Sequence, residues 1–196
     1  MTHIDRITAV ILAGGKSSRM GTDKALLPYG PKNEPLIAAV INMLSGIFSR
    51  IVISAAKSNP LERFGLPLIL DHFPEIGPLG GITSVLESGE ERIFCVACDM
   101  PFLNEDLIRY QCSFTDDAVI PEWHNRWESL HSIYSLPLLP ALRQAIEKQH
   151  FKISDALFGC NVRLLLESEI QKFDTAGKCF ANINTPGDFE RMKAEG

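Results

Sequence analysis

Short apolar or β-branched runs alternate along the chain with segments of helical periodicity. Positions 8–12, 51–55 and 93–98 are continuous apolar runs of strand length. Positions 36–44, 81–87 and 106–112 carry apolar residues at helical spacing between and after them. A strand with one face in water alternates apolar and polar residues, whereas a strand covered on both faces reads as an unbroken apolar run. The series therefore predicts successive βαβ units: an α/β fold, doubly wound and Rossmann-like, with a mainly parallel sheet and helices on both faces. Further along, 118–120, 132–134 and 162–166 read as strands, 138–148 as a helix, and a short helix is expected from Ser154 before a closing helix. Ser154 and Thr185 are the expected N-caps of those last two helices, with Pro186 at the first helical position of the second. Without an internal repeat, low-complexity tract or linker, 196 residues predict a single domain over 1–196.

Charge narrows the partners. Nineteen Lys and Arg stand against 24 Asp and Glu, for a formal net charge of −5. No stretch gathers the cations into a stripe that would neutralise a phosphate backbone, so no nucleic acid is expected. The first apolar run lacks a basic leader and feeds straight into Gly14-Gly15-Lys16, unlike a signal peptide, and a cytoplasmic address follows. The apolar stretch 35–48 is broken by Asn42, Ser45 and Gly46 and falls short of the ~20 residues that span a bilayer, so no membrane is expected. Five scattered cysteines, an odd number, point to reduced thiols instead of a disulfide framework. Cys95 and Cys98 have the spacing of a metal or redox pair, but in a strand residues three apart face opposite ways, which makes them core thiols.

In open parallel sheets ligands bind outside the carboxyl ends of the strands, near the point where strand order reverses. The first strand ends in Leu12-Ala13-Gly14-Gly15-Lys16-Ser17-Ser18-Arg19-Met20-Gly21-Thr22-Asp23-Lys24. Paired glycines let the backbone approach a polyphosphate, and their N–H groups can converge on its oxygens. Arg19 can grip phosphate oxygens bidentately, and Lys24 can act as a point charge. The segment is neither a Walker A loop, which would need glycine where Val10 stands, nor a dinucleotide fingerprint, which would need it at Lys16.

These residues resemble the nucleotidyltransferase signature Leu-x-Ala-Gly-Gly-x-Ser-x-Arg-Met-Gly…Lys. Within that superfamily the chain is most similar to the molybdenum cofactor guanylyltransferase family, which joins GMP to molybdopterin. The likeness continues through Gly77-Pro78-Leu79-Gly80-Gly81-Ile82, Cys98-Asp99-Met100-Pro101-Phe102 and Asn182-Ile183-Asn184-Thr185-Pro186. It implies a nucleotidyltransferase fold, GTP and molybdopterin as substrates, and Mg²⁺ as cofactor. Transient contacts with proteins that deliver the molybdenum cofactor, or with enzymes that receive it, are further implications.

The resemblance assigns Arg19, Lys24 and Asp99 to catalysis. It assigns Leu12, Ala13, Gly14, Gly15, Lys24, Ser54, Asp71, Gly80 and Asp99 to GTP, and Arg19, Asn182 and Asn184 to the acceptor. Asp99 follows a strand-like run and precedes Pro101, so its carboxylate is expected at a strand's carboxyl end. Mg²⁺ keeps several waters and takes one or two carboxylates plus substrate phosphates, so Asp99 alone suffices as its protein ligand. A cap on the helix near Asn104 is the competing role. Asp71 also ends a strand-like run, with a solvated turn aspartate as its alternative. Where the family commonly has an asparagine after the second strand, Ser54 stands here to meet the base. Asn182 and Asn184 face the pterin by resemblance, and a turn capping the last helix is their other reading. The segment Trp123-His124-Asn125-Arg126-Trp127 lines an acceptor groove or packs the core; His72, His124 and His131 have no metal-ligand spacing. Cytidylyl transfer to molybdopterin, sugar-nucleotide pyrophosphorolysis and a non-catalytic nucleotide-binding regulator are the rival functions.

Overall fold

The structure is a computed structural model that describes residues 2–14, 24–56, 60–183 and 187–188. Its first half runs β1 (Thr8–Leu12), β2 (Pro28–Tyr29), β3 (Glu34–Pro35), α1 (Leu36–Ser45), β4 (Ile51–Ala55), β5 (Leu68–Leu70), α2 (Pro78–Glu87) and β6 (Arg92–Ala97). There follow α3 (Glu105–Cys112), β7 (Ala118–Trp123), β8 (Arg126–Trp127), β9 (His131–Ser135), α4 (Leu139–Glu147), α5 (Ile153–Ala156), β10 (Val162–Leu165) and α6 (Glu167–Ile170).

The unbroken apolar runs are explained by two cores, one on each face of the sheet. Ala9 and Ile11 of β1 join Ile53, Phe94 and Val96 beneath α1, α3 and α6. Val10 and Leu12, the alternate positions, join Val52, Ile93 and Cys95 beneath α2, α4 and α5. Burying each such Ile, Leu or Val contributes about 1.5–3 kcal/mol, and with both faces covered the central strands are mostly apolar along their whole length. Cys95 and Cys98 fall in opposite cores, both buried and neither in a disulfide, as their spacing requires.

The main sheet has the order β10-β7-β9-β6-β1-β4-β5, with β8 paired to β7. β1 is parallel to both β4 and β6, β4 to β5, and β10 to β7. β9 departs from the parallel rule and lies antiparallel between β6 and β7. A parallel return needs a crossover of a dozen or more residues, and the link from Trp123 to His131 is too short for one. That link folds into β8 through a turn in which His124 and Asn125 have φ of 50° and 58°.

α2 begins at Pro78, ahead of the apolar run at 81, as the Gly77–Gly81 segment implies: Gly77 turns the chain at φ 77° and proline fits the first helical position. One helix start differs from the expectation. α5 begins at Ile153 after an extended Lys152, so Ser154 is not its N-cap and its hydroxyl donates instead to Asp155 Oδ1 at 3.2 Å. Burial of Ile153 in the core under α4 sets that start. Thr185 and Pro186 lie outside the described residues, and of the closing helix only residues 187–188 are described. No helix among the described residues is long and apolar enough to cross a membrane.

Candidate functional site

After β1 the chain adds β4 and β5 on one side and then returns to place β6 on the other. Strand order therefore reverses between β1 and β6, the place where open α/β sheets bind ligands beyond the carboxyl ends of their strands. The two ends are tied together where the Cys98 N–H donates to the Leu12 carbonyl at 3.1 Å. Asp99 projects at this point, and Lys24 Nζ comes within 3.5 Å of its Oδ2.

The Asp99 side chain is 13% exposed. Burial pushes its carboxyl above the usual range, and the Lys24 ammonium opposes that shift. Its competing role as a helix cap is filled by Asn104, whose side chain accepts from the Leu107 N–H at 2.9 Å and donates to the Phe173 carbonyl at 3.0 Å. Asp99 instead faces the Lys24 ammonium. Among the described residues no group of three His, Cys, Asp or Glu could hold a metal ion. One hard, mostly buried carboxylate does not make a resident metal cage, but it fits Mg²⁺ arriving with substrate phosphates, which would supply the other oxygens.

On the β4–β5 side the structure gathers Leu12, Gly14, Ser54, Asp71 and Gly80. Gly14 runs beside Ala55 and Ala56, and a methyl group on it would stand 3.6 Å from the Ala56 nitrogen. The Ala13 N–H donates to the Ser54 carbonyl at 2.8 Å. Asp71 Oδ1 accepts from the Phe73 N–H at 2.7 Å and from the Ser84 hydroxyl at 3.3 Å. This staples the turn into α2, so the turn role is real, and it fixes the carboxylate at the β5 end. Ser54 differs from expectation. Its hydroxyl is enclosed and has no hydrogen-bond partner among the described residues. It points to α2, 3.3 Å from where a Gly81 side chain would begin. Only its backbone reaches the sheet edge, because the period of the strand turns the side chain into the helix interface.

On the other side of Asp99, its carbonyl accepts from the Ile183 N–H at 2.8 Å. That bond brings the backbone next to exposed Asn182 against the backbone of Asp99, a juxtaposition across more than 80 positions that spacing cannot reveal. Lys178, which sequence reasoning missed, lies with its Nζ 5.1 Å from the centre of the Phe102 ring, whose other neighbour is Tyr29 at 6.5 Å. Gly15, Arg19 and Asn184 lie outside the described residues. The two tryptophans divide: Trp123 is buried against Phe180, and half-buried Trp127 lines a pocket.

Beneath this edge His131 is fully buried, edge-on to Phe94 and Phe180, with neither ring nitrogen hydrogen-bonded among the described residues. Burial lowers its pKa from 6.5 to about 4. Between those values the unfolded chain binds a proton that the folded chain refuses, so stability falls as pH drops from 6.5 to about 4. The loss is on the order of 3 kcal/mol at about 1.4 kcal/mol per pKa unit. His131→Leu is expected to flatten the thermal midpoint over that window and to leave it equal or higher at pH 7. Parallel curves for the two proteins would remove the histidine from the acid response.

Comparison with known proteins adds the following. Residues 9–158 match the family model for the MobA-like NTP transferase domain. The chain is 33% identical over 203 residues to a probable molybdenum cofactor guanylyltransferase of Methanosarcina mazei, covering 94% of this chain and 89% of the relative. It is 31% identical over 194 residues to the molybdenum cofactor guanylyltransferase of Syntrophotalea carbinolica, covering 96% and 91%. Among solved structures it is similar to molybdopterin-guanine dinucleotide biosynthesis protein A from Archaeoglobus fulgidus. That likeness has a TM-score of 0.78 and 25% identity over 96% of this chain and 98% of the other.

Proposed function

Because the chain belongs to the MobA-like NTP transferase family, we propose that it transfers GMP from GTP to the terminal phosphate of molybdopterin in molybdenum cofactor biosynthesis. The observation that carries this reading is the Asp99–Lys24 pair, 3.5 Å apart at the sheet's switch point. A carboxylate and an ammonium held together there are what a triphosphate–metal complex needs from its protein.

An oxygen of the acceptor phosphate attacks the α-phosphorus of GTP in line. The new P–O bond forms as the bond to the β-phosphate oxygen breaks, and pyrophosphate leaves. The nucleophile is already an anion, so no activated serine or cysteine is required. Burial pushes the Cys95 and Cys179 thiols up, and Cys112 up to about 12, away from nucleophilic use. Lys24 can leave Asp99 for the triphosphate, and Arg19 and the loop N–H groups would join it there. Mg²⁺, held by Asp99, would neutralise developing negative charge on the phosphates. Asn182 and Asn184 would orient the acceptor, and the backbone at Ser54 would meet the base. A cytoplasmic address and transient contacts with proteins that deliver or receive the molybdenum cofactor belong to the same proposal.

The test is pyrophosphate release with Mg²⁺ and molybdopterin across GTP, CTP, ATP and UTP. GTP preference supports the reading. A CTP preference transfers the chain to cytidylyl chemistry, and nucleotide binding without turnover leaves a regulator.

A further inference from the structure

Two distant stretches of the chain close on the segment 99–102. From residues 24–29, Lys24 Nζ meets the Asp99 carboxylate at 3.5 Å and the Tyr29 ring lies 6.5 Å from that of Phe102. From residues 178–183, the Ile183 N–H donates to the Asp99 carbonyl at 2.8 Å and Lys178 Nζ stands 5.1 Å from the centre of the Phe102 ring. Each stretch touches both ends of 99–102, and each brings one ammonium to it.

The two ammonium groups differ in what holds them. Lys24 faces an acid, whereas half-buried Lys178 has no carboxylate within 4 Å among the described residues and rests on the face of Phe102. Asp174, the acid on the same turn, is engaged by backbone: its oxygens accept from the Ala176 and Cys179 N–H groups at 3.2 and 2.8 Å. Tyr29 brings no negative charge, because burial pushes its phenol up. An aromatic face holds a cation weakly, and a phosphate oxygen makes a shorter, charge-assisted bond. Lys178 would therefore leave the ring for a phosphate within its reach.

The turn that carries Lys178 has one shape. Gly177 has φ 63°, and a side chain there would run into the Trp123 indole, so only glycine fits. Buried Cys179 and Phe180 anchor the residues that follow. The lysine is thus mounted on a fixed backbone, with freedom left in its own side chain, as a binding group requires.

Nucleotidyl transfer sets an anionic phosphate against a triphosphate, so like charges must meet before the new bond forms. Lys24 serves the triphosphate, and Asn182, on the other stretch, is neutral. The three residue steps from Asp99 to Phe102 span at most about 11 Å. Two cations mounted on that stretch can serve neighbouring phosphates of one reacting complex.

We propose that Lys178 is a second phosphate-binding cation of this centre, resting on Phe102 in the free protein and moving to the attacking phosphate of the acceptor. The inference rests on the guanylyl-transfer reading, and its test separates the two. In turnover, kcat/KM for molybdopterin is expected to fall roughly 10- to 100-fold in Lys178→Met and to recover largely in Lys178→Arg, with KM for GTP within twofold of wild type. The thermal midpoint of Lys178→Met should stay near wild type, because methionine keeps an apolar stem over the ring. The lysine itself is followed by NMR of protein carrying ¹³C at the lysine ε-carbons. Its signal is the one that Lys178→Met removes, and the Phe102 ring current displaces it. GTP and Mg²⁺ alone should leave it displaced, and millimolar inorganic phosphate added to that complex should return it to the ordinary lysine position.

A signal indifferent to phosphate overturns the proposal, as do kinetic constants of Lys178→Met that all lie within twofold of wild type. Movement with GTP and Mg²⁺ alone, with KM raised for GTP in place of the acceptor, gives the lysine to the triphosphate and also overturns it. A phosphate response in a protein that transfers nothing would support the anion site and remove the guanylyl reading. Guanylyl transfer with an unresponsive Lys178 would do the reverse.

Discussion

Asp99→Asn is expected to lower nucleotidyl transfer by about 100- to 1,000-fold, the range seen when one preorganised charge-stabilising group is removed from a reacting centre. Folding should be untouched. The Asp99 carboxyl is mostly buried, and burial is the largest influence on its pKa, so the ionised form costs the folded state some stability that Lys24 only partly offsets. A neutral amide of the same shape removes that cost, and Lys24 is exposed enough to remain solvated. The thermal midpoint should therefore hold or rise while turnover collapses. If turnover and midpoint fell together, Asp99 would be a structural residue.

The second large effect is on stability, at Gly80→Ala. Replacing an interior helical glycine with alanine ordinarily gains about 1 kcal/mol. Here the added methyl would stand 2.4 Å from the Phe73 carbonyl oxygen, 2.9 Å from its Cβ and 3.1 Å from Asp71 Oδ1. Backbone blocks it, so α2 must move off the β5 turn. Overpacking of this kind costs about 1–3 kcal/mol beyond the propensity gain, or a fall in midpoint of roughly 3–10 °C in a chain of this size. Gly46→Ala is the control. It would meet only the Met43 carbonyl oxygen, at 3.5 Å, in a right-handed helical conformation, and should be neutral or stabilising by about 0.5 kcal/mol. Equal midpoints for the two variants would show that Gly80 is not held by packing and would return it to a purely ligand-binding role.

What the sequence discloses about this fold follows from where the information is local. β1, β4 and β6 are legible because each is covered on both faces, so each residue of the run carries the signal. β9 is legible as a strand, but its direction is set by a connection too short for a crossover. β8 is only two residues long and is defined by pairing. The Ser154 cap fails because α5 begins where Ile153 can be buried, one residue before the hydroxyl.

The candidate site divides along the same line. Asp99 and Asp71 are found because a carboxylate ending an apolar strand must emerge at the sheet edge. Ser54 obeys the same rule in its backbone but not in its side chain, since strand period sends the hydroxyl into the α2 interface. The bond from Ile183 to Asp99, the approach of Lys178 to Phe102, and the pocket shared by the β7–β8 turn and α5 join distant segments. No local pattern announces them.

The central claim, attack on the α-phosphorus at the Asp99–Lys24 centre, is tested most directly by the fate of labelled phosphate. GTP carrying ³²P at the α position, and separately at the γ position, would be incubated with molybdopterin, Mg²⁺ and wild-type protein, with Asp99→Asn in parallel. The account predicts α label in a molybdopterin dinucleotide and γ label in pyrophosphate, with both signals lost in Asp99→Asn. γ label on the acceptor, or α label transferred equally well by Asp99→Asn, would contradict it.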